Sequence, residues 1–76
     1  MPDIIRELDG FTGRACLVRK GDKHFVVSST TVLFSGFETL VFPATPEGDI
    51  IDWLEVAGGR GMSREQAIAD LEASDA

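Results

Sequence analysis

The fold is decided by residues 14–29, RACLVRKGDKHFVVSS. Two runs of β-prone residues flank Gly21-Asp22, a dipeptide typical of a two-residue hairpin turn. A four-residue turn, Lys20 to Lys23, is the alternative, because two opposed lysines repel each other. With the tighter turn, one face of the hairpin carries Cys16, Val18, Phe25 and Val27, and the other carries Leu17 and Val26. This stretch predicts an antiparallel hairpin, and its Cys16 face is the better candidate for the core.

A second hairpin is predicted further along the chain. Residues 30–34 and 37–42 are β-branched and aromatic, as in strands. Pro43 cannot donate a backbone hydrogen bond, so the second of these strands ends or lies at a sheet edge there. Residues 44–49 have turn chemistry. Residues 50–56, IIDWLEV, are interpreted as the returning strand because they are short and β-branched, and their spacing leaves a helix as the alternative.

The last predicted element is a helix over about residues 63–73. Ser63 and Gln66 have the spacing of a capping box, and good helix formers follow them. The apolar stripe of this helix consists of Ala67, Ile68 and Leu71. The glycine-rich residues 57–62 before it are interpreted as a flexible connector. The tail, residues 74–76, is expected to fray.

Residues 4–8 suit either a strand or a short helix. Asp9-Gly10 is a further hairpin signal and favours the strand. The whole chain, 1–76, is therefore predicted to be one small α+β domain that is mostly β. Its antiparallel sheet has four to five strands, arranged as two hairpins over about residues 4–56, and one C-terminal helix packs on one face. Because one helix covers only one face, an uncovered apolar face is also expected.

The composition is that of a small protein with its own core. Of 76 residues, 43% are hydrophobic, and Cys16 is the single cysteine, which excludes an internal disulfide. The first residues lack the basic and apolar regions of a secretory signal. No apolar run approaches the roughly 18 residues that span a bilayer. These features predict a cytoplasmic protein without a membrane segment.

Charge is distributed unevenly along the chain. Residues 1–30 carry five basic and four acidic groups, whereas residues 31–76 carry two basic and nine acidic groups, a formal charge of −7. Proteins that bind a nucleic-acid backbone need clustered cations. Direct binding of DNA or RNA is therefore disfavoured.

An enzyme is not expected from the reactive side chains. His24 is the single histidine, and the predicted hairpin separates it from Cys16 and puts the two on opposite faces. No glycine pattern of a nucleophile elbow surrounds any serine. The spacing of the acidic residues matches no calcium loop. No catalytic residue, metal site or cofactor is predicted.

Three groups of residues are candidates for binding. The apolar face of the second hairpin would contact a protein partner or a second copy of the chain through Leu40, Phe42, Trp53 and Leu54. An acidic surface that imitates a nucleic-acid backbone would use Glu38, Glu47, Asp49, Asp52 and Glu55. An anion site in the loop from Gly58, at a helix N-terminus, would use Gly59, Arg60, Gly61, Ser63 and Arg64.

Three segments carry a resemblance to a group of proteins. Residues 37–44, FETLVFPA, are followed by an acidic turn and residues 52–56, DWLEV, and a glycine-rich link leads to residues 63–67, SREQA. The pattern covers about half the chain and resembles small uncharacterised β-rich proteins of actinobacteria and their phages. The resemblance implies a compact accessory protein of a phage or mobile element, and it implies no catalytic or binding residue.

The function predicted from these features is a non-enzymatic protein-interaction module. It would form a homodimer through an edge strand or through the uncovered sheet face. The alternative is an acidic nucleic-acid mimic that inhibits a DNA- or RNA-binding protein. The third prediction is a binder of an anion or small ligand at the glycine-rich loop.

Overall fold

A computed structural model describes residues 3–8, 14–32, 36–54 and 56–74. Within these residues the elements follow in the order β1 (Asp3–Leu8), β2 (Arg14–Lys20), β3 (Lys23–Val32), β4 (Gly36–Ala44), β5 (Ala57–Arg60) and α1 (Arg64–Ala73). The strands form one antiparallel sheet in the order β1-β2-β3-β4-β5, so each strand pairs with the next. The predicted class, α+β and mostly β with one C-terminal helix, is confirmed.

The hairpin of β2 and β3 has the predicted tight turn and register. Lys20 pairs with Lys23 across the turn, and Cys16 pairs with Val27. β3 is longer than predicted, because residues 23–32 form one strand that also pairs with β4. No glycine or proline interrupts this stretch. The sheet is therefore one continuous meander rather than two separate hairpins.

Helix α1 packs on the sheet face that carries Cys16. The buried cluster beneath it consists of Cys16, Val18, Phe25, Val27, Val41, Ala57, Ala67 and Leu71. The strand residues of this cluster alternate along β2 and β3, because successive side chains of a strand point to opposite faces. The predicted core face is confirmed.

The opposite face of the sheet is covered, contrary to the prediction. Leu17 and Val26 are fully buried there. They belong to a second buried cluster, whose members are Ala15, Leu17, Val26 and Ala44. Leu8 and Ile50 pack against this cluster. Ile50 belongs to the segment after β4, so an irregular segment supplies the cover that the single helix cannot give.

The predicted returning strand over residues 50–56 is wrong, and the alternative helix is not formed either. Ile50 makes an isolated bridge with Ala44, and regular pairing with β4 resumes only at β5. The physical reason is Pro43. Its carbonyl oxygen accepts a hydrogen bond from the N–H of Ile51, but it has no N–H to donate in return. The ladder fails at this point, and the chain leaves the edge of β4.

The prediction of a flexible connector over residues 57–62 is wrong at its first four residues, which form β5. Gly58 has a φ of +100°, and a Cβ atom there would lie 2.1 Å from the carbonyl oxygen of Thr39. Glycine therefore permits a close approach of β5 to β4. The buried hydroxyl of Thr39 donates to the carbonyl oxygen of Met62 at 2.6 Å. This bond attaches the chain after β5 to the sheet.

Both ends of helix α1 have hydrogen-bonding partners. Ser63 Oγ accepts the N–H of Gln66 at 3.1 Å, and Gln66 Oε1 accepts the N–H of Ser63 at 2.9 Å, which confirms the predicted capping box. At the other end, Lys20 Nζ donates to the carbonyl oxygens of Leu71 and Ser74 at 2.8 and 2.7 Å. The ammonium group thus lies at the negative end of the helix dipole.

Strand β1 confirms the strand that was favoured for residues 4–8. It is an edge strand, and its register with β2 shifts between Ile4 and Arg6. The predicted Asp9-Gly10 turn and residues 75–76 of the predicted frayed tail lie outside the described residues. No helix within the described part of the chain is long and apolar enough to cross a membrane.

Candidate functional site

The segment that returns along β4 forms a looped-out bulge. The N–H of Ile51 donates to the carbonyl oxygen of Pro43 at 2.9 Å, and the N–H of Val56 donates to that of Val41 at 2.8 Å. Between these two bonds β4 advances by two residues and the returning chain by five, so the returning chain has three extra residues. We call residues 51–54 the exposed bulge.

The exposed bulge presents three large apolar side chains to solvent. Ile51, Trp53 and Leu54 are 67%, 70% and 68% exposed. Asp52 Oδ1 accepts the N–H of Leu54 at 3.1 Å, an Asx turn within the bulge. Local hydrogen bonds therefore hold these apolar groups at the surface.

The structure brings some of the predicted interface residues into contact. The ring of Trp53 packs edge-on against Phe42, with ring centroids 5.4 Å apart and an interplanar angle of 61°. Phe42 is itself buried, and Leu40, on the same sheet face, is partly buried. Trp53 and Leu54 thus form the accessible part, and Phe42 supports Trp53. The sequence prediction missed Ile51, although the apolar pair Ile50-Ile51 was a signal for it.

A groove of about 530 Å³ lies between β1 and the exposed bulge. β1 contributes Arg6 and Leu8, and the facing wall is formed by residues 47–50 and Trp53. The guanidinium group of Arg6 donates to the carbonyl oxygen of Glu47, which joins the turn after β4 to β1. The groove therefore combines apolar surface with the acidic residues Glu47 and Asp49.

Ile51 contributes to the wall of a second groove, of about 520 Å³. Its apolar walls include Phe25, Pro43 and Pro46, and His24 also lines it. Ile51 thus borders this second groove, whereas Trp53 borders the first. The exposed bulge therefore contributes one side chain to each groove.

The predicted acidic residues that the structure describes do not all lie close together. Three of them are exposed in the turn and the bulge: Glu47, Asp49 and Asp52. Glu38 lies six residues before the end of β4. At about 3.3 Å per residue, it is roughly 20 Å along the strand from the start of the acidic turn. One of its carboxylate oxygens is 3.8 Å from Arg60 Nε. Glu55 lies outside the described residues.

The two arginines of the predicted anion site diverge. Arg64 Nη1 donates to both carboxylate oxygens of Glu7, at 2.8 and 3.1 Å. Arg60 faces Glu38 instead. Glu38 pairs with a residue on the Val26 face of the sheet, and Glu7 pairs with Cys16 on the helix face. The two guanidinium groups therefore lie on opposite faces, and each is beside a carboxylate.

The other residues that were predicted to bind an anion contribute to the fold. Gly59 pairs with Thr39 in the sheet, Gly61 has a φ of +70°, and Ser63 caps the helix. A small groove of about 210 Å³ beside the helix N-terminus brings Arg14 next to Ser63 and Arg64. Arg14 was not predicted, because it is distant in sequence and only the fold brings it there.

Arg64 also lies beside the buried thiol of Cys16. Burial raises the pKa of this thiol above its ordinary value of 9.0, and hydrogen bonding to Arg64 opposes the rise. The hydrogen bond to Glu7 raises the pKa of Arg64. The edge strand, the start of the helix and the core are therefore connected by a row of three side chains, Glu7, Arg64 and Cys16. The thiol at the end of this row is protonated at neutral pH.

We expect the Cys16 thiol of the folded protein to react slowly with a chromogenic disulfide reagent. The thiol is buried and its raised pKa disfavours the nucleophilic thiolate, so reaction requires opening of the structure. The absorbance of the released chromophore gives the rate of reaction.

The raised pKa of Cys16 also makes the stability of the fold depend on pH. The thiol of the unfolded chain ionises near pH 9.0, whereas the thiol of the folded chain keeps its proton at that pH. The contribution of the protonated thiol to the free energy of unfolding is therefore present below pH 9.0, and it is lost as the pH rises through the folded pKa.

The matched control moves the single thiol to the surface. In the variant C16A/A69C the thiol lies at an exposed helix position. We expect it to react as fast as the thiol of the unfolded chain. Equal rates for this variant and the natural chain would contradict a buried Cys16.

Reactive side chains are spread over the described part of the sheet. Cys16 and His24 lie on opposite faces, as predicted. Among the described residues, no group of three or more His, Cys, Asp or Glu side chains is arranged to hold a metal ion. Comparison of the chain with protein-family models, with curated protein sequences and with solved structures found no significant match.

Proposed function

We propose that the chain is a protein-binding module and that the exposed bulge is its contact surface. The observation that carries this proposal is the exposure of Ile51, Trp53 and Leu54, each by about two thirds, on a hydrogen-bonded segment. Exposed apolar patches on proteins commonly mark interaction sites. Tryptophan is also among the residues that contribute most to the affinity of protein interfaces.

The order of the exposed bulge supports a binding role. Backbone hydrogen bonds flank it, the Asx turn of Asp52 shapes it, and Trp53 rests on Phe42. A partner therefore does not need to order this segment, which lowers the entropic cost of association. The same side chains contribute little to the core, because each buries only about a third of its surface.

The edge strand β1 offers a second contact surface, which the predicted homodimer could use. Ile4 and Ile5 are about half exposed there. The register shift between Ile4 and Arg6, however, interrupts the regular ladder. Irregular edge strands oppose pairing with another strand. We therefore assign the contact to the exposed bulge rather than to β1.

The two other predicted functions have weaker support. A nucleic-acid mimic needs carboxylates at the spacing of a phosphate backbone, and Glu38 lies far from the acidic turn and beside Arg60. An anion site at the glycine-rich loop needs convergent cations, and Arg60 and Arg64 diverge. Neither arrangement has a feature comparable to the exposed apolar side chains of the bulge.

We expect a photo-reactive amino acid at position 54 to cross-link a protein when cells that naturally make the chain are irradiated. The reason is that this position lies on the exposed bulge, beside Trp53. The measurement is gel separation of the cross-linked products followed by mass spectrometry. The mass of a discrete product distinguishes a second copy of the chain from another protein.

Two matched positions serve as controls for this experiment. Position 65 is an exposed helix position on the other side of the sheet, and position 5 lies on the edge strand β1. We expect no discrete product at position 65, and we expect Trp53→Ala to abolish the product formed at position 54. A product at position 5 without one at position 54, or equal products at all three positions, would overturn the proposal.

A further inference from the structure

We infer that the partner of the exposed bulge is a different protein that presents a basic amphipathic segment, with apolar side chains flanked by lysine or arginine. This inference rests on the proposed function and names the class of partner. Its basis is the distribution of charge around the bulge and the chemistry of the groove beside Trp53.

Carboxylates border the apolar side chains of the exposed bulge. Asp52 lies within the bulge, and Glu47 and Asp49 line the groove next to Trp53. All three residues are exposed, and residues 31–76 carry a formal charge of −7. A partner with cations around its apolar contact gains from this potential in specificity and in association rate.

The groove beside Trp53 fits a long cationic side chain. Leu8, Ile50 and the indole ring offer apolar surface to the stem of a lysine or arginine, and Glu47 and Asp49 line the same groove and can attract its charged end. A guanidinium group already interacts with this wall, because that of Arg6 donates to the carbonyl oxygen of Glu47. The volume of about 530 Å³ leaves space for a further side chain.

A second copy of the chain is a poorer partner for this surface. In a two-fold dimer through the bulge the same patch meets itself. Asp49 and Asp52 would then lie near the same residues of the other copy, and each copy carries a net charge of −6. Like charges brought together in an interface oppose association. The charge thus favours a basic partner over self-association.

The test uses two synthetic amphipathic peptides of about 18 residues, five helical turns. One peptide has leucine on one face and lysine on the other. The second peptide has the same pattern, with glutamate in place of lysine. Trp53 is the single tryptophan, and the chain has no tyrosine, so the intrinsic fluorescence reports directly on the bulge. We expect the lysine peptide to shift the emission to shorter wavelengths and to bind at least about tenfold more tightly than the glutamate peptide, with weaker binding at high salt.

Matched variants separate the local charge from the net charge. The variant E47Q/D49N/D52N removes three carboxylates at the bulge, and Asp52→Asn keeps an oxygen that can accept the N–H of Leu54. We expect it to bind the lysine peptide about tenfold more weakly, since exposed charges contribute modestly one by one. The control E65Q/D70N/E72Q makes the same change of charge on α1, and we expect less than about a twofold effect.

Each outcome bears on one of the two proposals. If both peptides bind equally and Leu54→Ser weakens both, the bulge binds proteins but the inference of a basic partner is overturned. An equal loss in the two triple variants also overturns it, because net charge would then explain the binding. A salt-insensitive dimer in light scattering would overturn it in favour of a second copy. If neither peptide shifts the emission and position 54 gives no cross-link, the proposed function fails as well.

Discussion

Replacing Gly58 with alanine is expected to lower the free energy of unfolding by about 3 kcal/mol or more. A Cβ atom at this position would lie 2.1 Å from the carbonyl oxygen of Thr39 and 2.9 Å from the Cα of Leu40. Both neighbours are backbone atoms of β4, so no side chain can move aside. The φ of +100° adds backbone strain for any residue with a Cβ. We therefore expect β5 to lose its pairing with β4.

Gly61→Ala is the matched control for this prediction. Gly61 also has a positive φ, +70°, but an added Cβ would meet no atom within 4 Å. We expect a loss of only about 1 kcal/mol, the cost of the left-handed conformation. Urea denaturation of the two variants, followed by circular dichroism, measures the difference. Equal losses would mean that the close approach of Gly58 to β4 does not exist in solution.

The parts of the fold that sequence predicts well depend on local signals. The turn at Gly21-Asp22 sets the register of β2 and β3, and the capping box of Ser63 and Gln66 sets the start of the helix. The same alternation indicated the Cys16 face as the better candidate for the core, but it did not show which face the helix covers. Each of these signals lies within a few residues of the structure that it predicts, so no long-range contact is needed.

β5 could not be predicted from local sequence signals, because the contact that explains it is made with another strand. A pair of glycines disfavours a strand by propensity, but residues 57–60 pair with β4 because Gly58, which lacks a Cβ, can approach the backbone of Thr39. The position of a backbone group 19 residues earlier in the chain thus explains why a glycine is needed at position 58. The cover of the second sheet face by Ile50 depends in the same way on long-range packing.

The proposed contact surface was predicted in part, and for a different reason from the one in the structure. Trp53 and Leu54 were candidates because a regular strand would place apolar residues on an uncovered sheet face. In the structure that face is covered, and the two side chains are exposed because the ladder fails after Pro43 and the chain loops out. Proline gave a signal of this failure, but propensity alone does not show how many residues are looped out.

Replacing Leu71 with alanine is expected to lower the free energy of unfolding by about 3 kcal/mol, within the range for buried leucines. Leu71 is fully buried in the cluster between helix α1 and the sheet. An isolated helix of ten residues is marginal in water, so packing contributes most of its stability. A domain of 76 residues has a total stability on the order of 4 to 11 kcal/mol, so this single change removes a large part of it.

Leu54→Ala makes the same chemical change on the exposed bulge and separates stability from binding. Leu54 is 68% exposed, so its truncation removes few native contacts, and we expect a change in stability of less than about 0.5 kcal/mol. We expect the same variant to weaken the binding of the lysine peptide, which Leu71→Ala affects only through the folded fraction. Urea denaturation and titration of the Trp53 fluorescence measure the two effects on the same samples. Equal losses of stability would contradict the packing of α1 on the sheet, because a buried leucine and an exposed leucine would then contribute equally to the free energy of unfolding.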